Sequence, residues 1–501
     1  MDRKFVKLNI YFTVLLQIVT IACGFIIPRL TLSYFGSEMN GLCNSVAQFL
    51  NYIQLLEGGL SGVAMAALYK PLAENDTAKL SSAIRSIENF FRKIGIAYVI
   101  YALGVTFLYP LLVPSSFSYA SVAVLIVIIG AGAFIQYFFS LTFRLLINAD
   151  QHGYIVSAAN ILFYLLNLGL VILSLRIFPS IHLVKICAVV SYITQPIIFG
   201  IYTKKHYPLD KHAPVDNSLL AQRWDGFGQN LAYFIHTNTD ITVITIFSTL
   251  TEVSVYSVYY MVIRSLKTLI ISISSAVYPS FGKVLVSGTQ EEIDKAFDEY
   301  EFLMNIITTF AFSCCIVLIT SFVHVYTLGI DDADYSRSTF AIVLCCAEAV
   351  YCFRDPFVSA AYAAGHFRQT AKYAYLEAGI NIVLSVILIQ FWGLVGIAIG
   401  TLAGMTCRMI LQVIYTKDKL LFRPISKWLK NFILYTVLGA VSILLAFCIP
   451  FQVENYFQWF LYTLITAAIT AVIIAAGTLL FRRQQLKYFI GHYFLHHKEK
   501  Q

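Results

Sequence analysis

The sequence predicts an all-α polytopic membrane protein of about 14 transmembrane helices, and three observations predict it. Of 501 residues, 58% are hydrophobic and only 12% are charged. Soluble domains carry roughly 25% charged residues, so this chain has too little polar surface to cover a water-soluble particle of its size. Second, apolar stretches near 20 residues, the length that spans a hydrocarbon core, recur from end to end. Third, the cations are segregated. With the N-terminus placed inside, 26 of the 35 Lys and Arg fall in inner segments, four fall outside (Arg29, Arg176, Lys185, Arg337) and five fall within spans (Arg144, Arg264, Lys267, Arg354, Arg408). Lys and Arg near helix ends stay cytoplasmic, so this split places both termini in the cytoplasm, requires an even number of helices and makes the expected location the inner (plasma) membrane.

The predicted spans follow in order. Residues 8–28 come after Arg3, Lys4 and Lys7 and are long enough to span rather than to serve as a cleaved leader. Residues 41–68 form a weak second span, interrupted by Asn44, Gln48, Asn51, Gln54 and Glu57. Spans at 93–113, 121–147, 155–175 and 183–203 complete a first set of six. A polar stretch from Lys204 to Gln229, with Pro208 and Pro214, then reads as a cytoplasmic linker. Six more follow at 229–249, 254–279, 301–323, 340–362, 373–391 and 393–415, the last two nearly fused through Trp392-Gly393. Spans 431–450 and 457–481 stand at the end. The segments Ser81–Lys93 and Glu291–Glu301 read as amphipathic extensions of the helices that follow them.

Six spans before the linker start the second set on the same side as the first, so a repeat would be parallel, related by an axis along the membrane normal. An offset of 213–214 residues aligns Ile201-Tyr202-Thr203-Lys204 with Ile414-Tyr415-Thr416-Lys417, and Asn167 with Asn381. The expected organisation is an N-terminal lobe at 1–215, a C-terminal lobe at 216–417, each of six helices, and two C-terminal helices with a tail at 418–501.

Ionised side chains at mid-bilayer are costly and mark functional sites or internal pairs. Arg264 and Lys267 lie three apart on one helical face. Two cations so placed suit a phosphate or diphosphate, since Arg offers a bidentate fork; the structural alternative is pairing with Asp240 or Glu348. Gln229, Tyr233, His236 and Asp240 form one stripe, with Asp240 and His236 as candidates for ion coupling or gating, against a plain salt bridge to Arg264. Asn44, Gln48 and Asn51 either line a hydrated cavity or hold helices together. Arg144, four residues after Ser140, either faces that cavity or snorkels. Glu348 and Arg354, beside Asp355-Pro356, suggest a gate or an internal Arg–carboxylate network. Arg29, after Pro28, sits at the outer mouth of the first helix.

Other chemistries find no support. The ten cysteines fall in apolar stretches without CxxC spacing and read as packing residues. There is no HExxH, GxSxG, P-loop or dinucleotide turn; hence no catalytic residues, no metal site and no cofactor are expected, and the chain is not read as an enzyme. Asp331-Asp332-Ala333-Asp334 reads as a solvated turn more readily than as a metal site. No basic soluble module is present for nucleic acid.

Asn238-Thr239-Asp240 followed by Val255-Tyr256-Ser257, and the opening Ile27-Pro28-Arg29-Leu30 through Phe35-Gly36, resemble the polysaccharide-export or oligosaccharide-flippase family, within the superfamily that also holds multidrug and lipid II exporters. The resemblance covers the whole length, with Leu250 standing where the family often has Gly. It implies two six-helix lobes around a central cavity lined by helices 1, 2, 7 and 8. It also implies a polyprenyl-diphosphate-linked oligosaccharide moved from inner to outer leaflet, with membrane lipids, glycan polymerase or glycosyltransferases as further partners. Two competing functions are weighed against it. An organic-ion or multidrug exporter would want acidic residues dominating the cavity. A membrane-embedded glycan polymerase or ligase would need a large outer loop, and the outer loops are short.

Overall fold

The computed structural model of the chain describes residues 3–57, 60–216, 219 and 227–490, and among these the regular structure is entirely helical. In order the helices are α1 Arg3–Asn51, α2 Gln54–Glu57, α3 Leu60–Glu74, α4 Thr77–Leu112, α5 Tyr119–Ile135, α6 Leu141–Ala149, α7 Gly153–Ile177, α8 Ile181–Tyr192 and α9 Thr194–His206. They continue as α10 Phe227–Phe247, α11 Leu250–Ser287, α12 Gln290–Tyr326, α13 Ser338–Ala363, α14 Phe367–Trp392, α15 Leu394–Thr416, α16 Ile425–Phe447, α17 Tyr456–Phe481 and α18 Arg483–Ile490. A π-helical turn at Gln136–Ser140 joins α5 to α6.

Eleven helical segments among the described residues are long and apolar enough to cross a membrane. Lipid contact also accounts for outward side chains such as Leu112 (75% exposed) and Phe391 (75%), which water would penalise. The chain is a multi-pass membrane protein. Eleven is a count by length and apolar content among the described residues, and local features bear on it. Within α1 two helices, one carrying the expected span 8–28 and the other the start of 41–68, meet at a kink at Gly36 (φ 79°, ψ 177°), a positive-φ geometry that only glycine adopts freely. The second span does not continue past Asn51: α1 ends there, and α2 and α3 follow as shorter pieces. The 26-residue α13 is long enough to span, but Glu348, Arg354 and Asp355 lower its apolar character. The extensions at Ser81–Lys93 and Glu291–Glu301 are continuous with α4 and α12.

The chain forms two compact units, Met1–Ser254 and Val255–Gln501, divided within the first turns of α11. In the first unit α4 packs on α5, and α1 on α7. Phe91, Ile94 and Tyr98 of α4 meet Leu125 and Ile126 of α5 in one buried cluster, and the Tyr98 hydroxyl donates to the Gly130 carbonyl at 2.9 Å. Asp76 caps α4 by accepting from the Lys79 amide at 2.9 Å. Asn9 ties α1 to the start of α7, donating to the Gln151 carbonyl at 2.8 Å and accepting from the Tyr154 amide at 2.7 Å.

In the second unit α15 carries Gly396, Gly400 and Gly404 at four-residue spacing, and these let its backbone lie directly on α14. A β-carbon on Gly400 would sit 2.5 Å from Ser385 Oγ, and one on Gly404 2.8 Å from the Glu377 carbonyl oxygen. Small residues at this spacing permit close helix approach in membranes. The helix α12 begins with a capping box between Thr289 and Glu292 and packs against α16 and α17. Arg423 anchors the segment before α16 to α12, reaching Asp298 and Glu301 at 2.8 Å each.

Candidate functional site

The informative groups are the polar side chains of the membrane-crossing helices, because the bilayer makes each one costly without a partner. In the second unit they form two adjacent clusters. Lys267 of α11 places its Nζ 2.8 Å from Glu348 Oε2 of α13 and lies 4.8 Å from the centre of the Tyr351 ring, which adds a cation–π contact. Of the two partners weighed for it from sequence, Glu348 is the one the structure supplies. Arg264, one turn before Lys267 on α11, is exposed and forms no ion pair among the described residues.

The second cluster is a buried triad. Glu377 of α14 receives Arg354 Nη1 of α13 at 3.1 Å on one oxygen and Arg408 Nη1 of α15 at 2.6 Å on the other. Glu377 is 1% exposed. Arg354 also stacks over Tyr351, 4.8 Å from its centre, so the two clusters share that ring. Next to Arg354, Asp355 accepts from Ser274 of α11 and from Tyr300 of α12. The internal-network alternative for Arg354 therefore has its partners, though Glu377 supplies the carboxylate and Glu348 serves Lys267.

In the first unit the amides on α1 divide by depth. Gln48 is buried and donates to Asn238 Oδ1 of α10 at 2.7 Å. Around it Ser45 meets Thr245 at 2.8 Å, Tyr52 meets Thr242 at 2.8 Å, and Asn40 donates to Ser254 Oγ at 2.7 Å. These contacts form a polar seam between α1 and the α10–α11 segment. Gly41 makes the seam possible, since a β-carbon there would overlap the Leu250 carbonyl. Asn44 is half-buried and Asn51 exposed at the end of α1. Asp240 is buried on α10, while the His236 side chain lies outside the described residues. Arg29 is half-buried after Pro28 within α1. Arg144 of α6 is half-buried within the field of Glu57 and Tyr137, and Glu57 accepts a hydrogen bond from Tyr137.

Residues that sequence reading passed over are Glu377 and the glycine stripe of α15, while Glu57 was noted only as an interruption of the second span. The signal for Glu377 was present: Glu377, Asn381 and Ser385 recur every four residues on α14, opposite the glycines at the same spacing. The described residues contain no group of His, Cys, Asp and Glu able to hold a metal ion. Asp334 of the acidic loop instead lies 3.6 Å from Arg337.

No family model and no curated protein sequence matches this chain. Solved structures do. The lipid II flippase MurJ in an inward closed conformation matches with a TM-score of 0.74 at 16% identity, over 96% of this chain and 99% of that one. This chain has the same fold as that flippase. An inward-facing multidrug resistance MATE transporter of the MOP superfamily matches with a TM-score of 0.64 at 13% identity, over 81% of this chain and 98% of that one. A MOP superfamily transporter from Pyrococcus furiosus, whose binding pocket is described as having reversed polarity, matches with a TM-score of 0.59 at 13% identity, over 84% and 96% of the two chains. The similarity extends over nearly the full length of each, so the shared fold includes the membrane-crossing body and not a fragment of it.

Proposed function

We propose that this protein is a flippase that moves a polyprenyl-diphosphate-linked oligosaccharide from the inner to the outer leaflet for cell-surface polysaccharide synthesis. The observation that carries the proposal is Arg264: an exposed guanidinium on a membrane-crossing helix, without an ion pair among the described residues, one turn from Lys267. An anionic headgroup would offset the cost of a cation in that position. Arg264 would hold the diphosphate bidentately. Lys267 would exchange its Glu348 partner for the same phosphate and return to it on release, so that the cycle has two states with different contacts. Rocking of the two expected lobes, residues 1–215 and 216–417, would alternate access, with both termini and the linker in the cytoplasm.

The fold shared with a lipid II flippase supports a lipid-linked substrate. An exporter of organic cations would need carboxylates free to meet its cargo. In the second unit Glu348 and Glu377 are engaged by Lys267, Arg354 and Arg408, and Asp355 by Ser274 and Tyr300.

The test is glycan export in cells whose own copy is replaced by variants. Arg264→Ala, at an exposed position, should abolish export while membrane levels stay normal, and Arg264→Lys should retain part of it because charge remains without the fork. Normal export by Arg264→Ala at normal protein level would overturn the proposal.

A further inference from the structure

At the ends of two of its helices, the first unit holds a second site. At the end where α4 begins and α9 finishes, a cavity of about 830 Å³ opens between α4, α9 and the chain at 207–215. Arg85 and Arg92 lie on one face of α4, seven apart, and Lys204 and Lys211 enter from the opposite wall. With Glu88 and Asp210 the lining holds four cations against two carboxylates, and Phe143 contributes apolar surface.

The wall is built, not draped. Ser81 Oγ accepts from the Asp210 amide at 3.0 Å, Ser86 Oγ accepts from the Asp216 amide at 2.8 Å, and Ser82 donates to the Pro214 carbonyl at 2.7 Å. Arg85 donates to the Lys211 carbonyl. Tyr207, part of the lining, is buried and donates to Asp150 at 2.5 Å. Four separate side chains of α4 thus fix this stretch of chain and with it the position of Lys211, so the cavity is formed before any ligand arrives.

We propose that this cavity binds the phosphate group of an anionic ligand, with a phospholipid headgroup or a soluble polyphosphate as its source. A pocket of several hundred cubic ångströms suits a molecule of that size, and converging Arg and Lys suit its charge. The approach to the cavity favours the lipid. Ile197, Ile201 and Lys204 lie at spacings of four and three on α9, so one exposed face of the helix runs from apolar side chains to a cation. An acyl chain lying along Ile197 and Ile201 would deliver its phosphate to Lys204. This site is separate from Arg264 and Lys267 and stands or falls independently of the transport proposal.

The test uses purified full-length protein in detergent. Retention of added phosphatidylglycerol or phosphatidylcholine is read by native mass spectrometry, and inorganic pyrophosphate is added in a parallel arm read by calorimetry. Phosphatidylglycerol should be retained and phosphatidylcholine should not, with retention falling as salt rises. The Arg92→Gln/Lys204→Gln variant, which leaves every hydrogen bond of the 207–216 segment in place, should bind at least tenfold more weakly with an unchanged melting temperature. Lys70→Gln/Lys79→Gln, outside the cavity, should bind as the parent does. Pyrophosphate that binds alone and is weakened by the same variant would identify a soluble phosphate as the ligand. Equal retention of both lipids without pyrophosphate binding, or phosphatidylglycerol binding unaffected in Arg92→Gln/Lys204→Gln, would overturn the proposal.

Discussion

Replacing Glu377 by Gln should destabilise the second unit more than any other single isosteric change in it. Glu377 is one buried carboxylate serving two guanidiniums, at 3.1 Å to Arg354 and 2.6 Å to Arg408. Opposite charges with centres about 4 Å apart attract by roughly 4 kcal/mol at an effective dielectric constant near 20. Two such attractions are lost on neutralisation, while the mutual repulsion of the arginines stays. The amide still accepts one hydrogen bond, and neutralisation also removes the carboxylate's own desolvation penalty, so the net cost falls to about 3–5 kcal/mol, the usual consequence of stripping one partner from a buried pair. For a unit of this size that is on the order of ten degrees in melting temperature. The assay is thermal unfolding of the purified protein in detergent, followed by intrinsic fluorescence. Glu377→Asp, which keeps the charge but shortens the arm, should lose less. The triple variant Arg354→Met/Glu377→Leu/Arg408→Met should recover much of the loss, because apolar residues remove the desolvation penalty along with the attraction. A Glu377→Gln protein that melts within a degree of the parent would refute the reasoning.

Three further outcomes follow from the same geometry. Lys267→Ala and Glu348→Gln should each lower the melting temperature, and the double variant should be less destabilised than the sum of the two, as thermal melts analysed by a double-mutant cycle will show if the 2.8 Å pair is coupled. Gly400→Leu should cost about 1–3 kcal/mol or prevent accumulation in the membrane, because even a β-carbon would stand 2.5 Å from Ser385 Oγ; a parent-like melt would mean that α14 and α15 separate easily. A cysteine placed at Lys211 in a Cys-less background should resist an impermeant thiol reagent in intact cells and react after permeabilisation, as the charge asymmetry requires; labelling in intact cells would sink the topology.

Much of the fold was legible because a bilayer asks a simple question of sequence. Length and apolar content located α4, α7, α12, α16 and α17 without knowledge of their neighbours. That ruler is blind to backbone direction: spans 8–28 and 41–68 belong to two helices that meet at a kink at Gly36, and the positive φ of that residue leaves no mark in hydropathy. The polar residues were legible as a set but not as pairs. Arg354 and Glu377 are 23 positions apart, and Glu377 and Arg408 a further 31, so nothing local links them. The link lies in the facing stripes of α14 and α15, where small residues bring the backbones together and leave room for an ion triad between them.

Pairing also ranks the intramembrane cations as candidates for function. Arg354 and Arg408 divide the two oxygens of a carboxylate that is itself almost wholly buried. A ligand drawing either guanidinium away would leave the carboxylate half-served and the other arginine in place, so the triad resists exchange and reads as a fixed joint among α13, α14 and α15. Arg144 lies in the field of Glu57 and Tyr137. Lys267 differs in having a single carboxylate partner on one neighbouring helix, softened by an aromatic face. One turn away on the same helix, Arg264 is exposed and holds no ion pair among the described residues. On the proposed function, a diphosphate arriving there would meet Arg264 first and then compete with Glu348 for Lys267: an open charge to capture the anion, and a paired one whose release would couple capture to a change in contacts between α11 and α13. Of the five cations that the membrane makes expensive, α11 carries the two that the proposed substrate could engage, Arg264 without an ion pair among the described residues and Lys267 with a single partner to exchange.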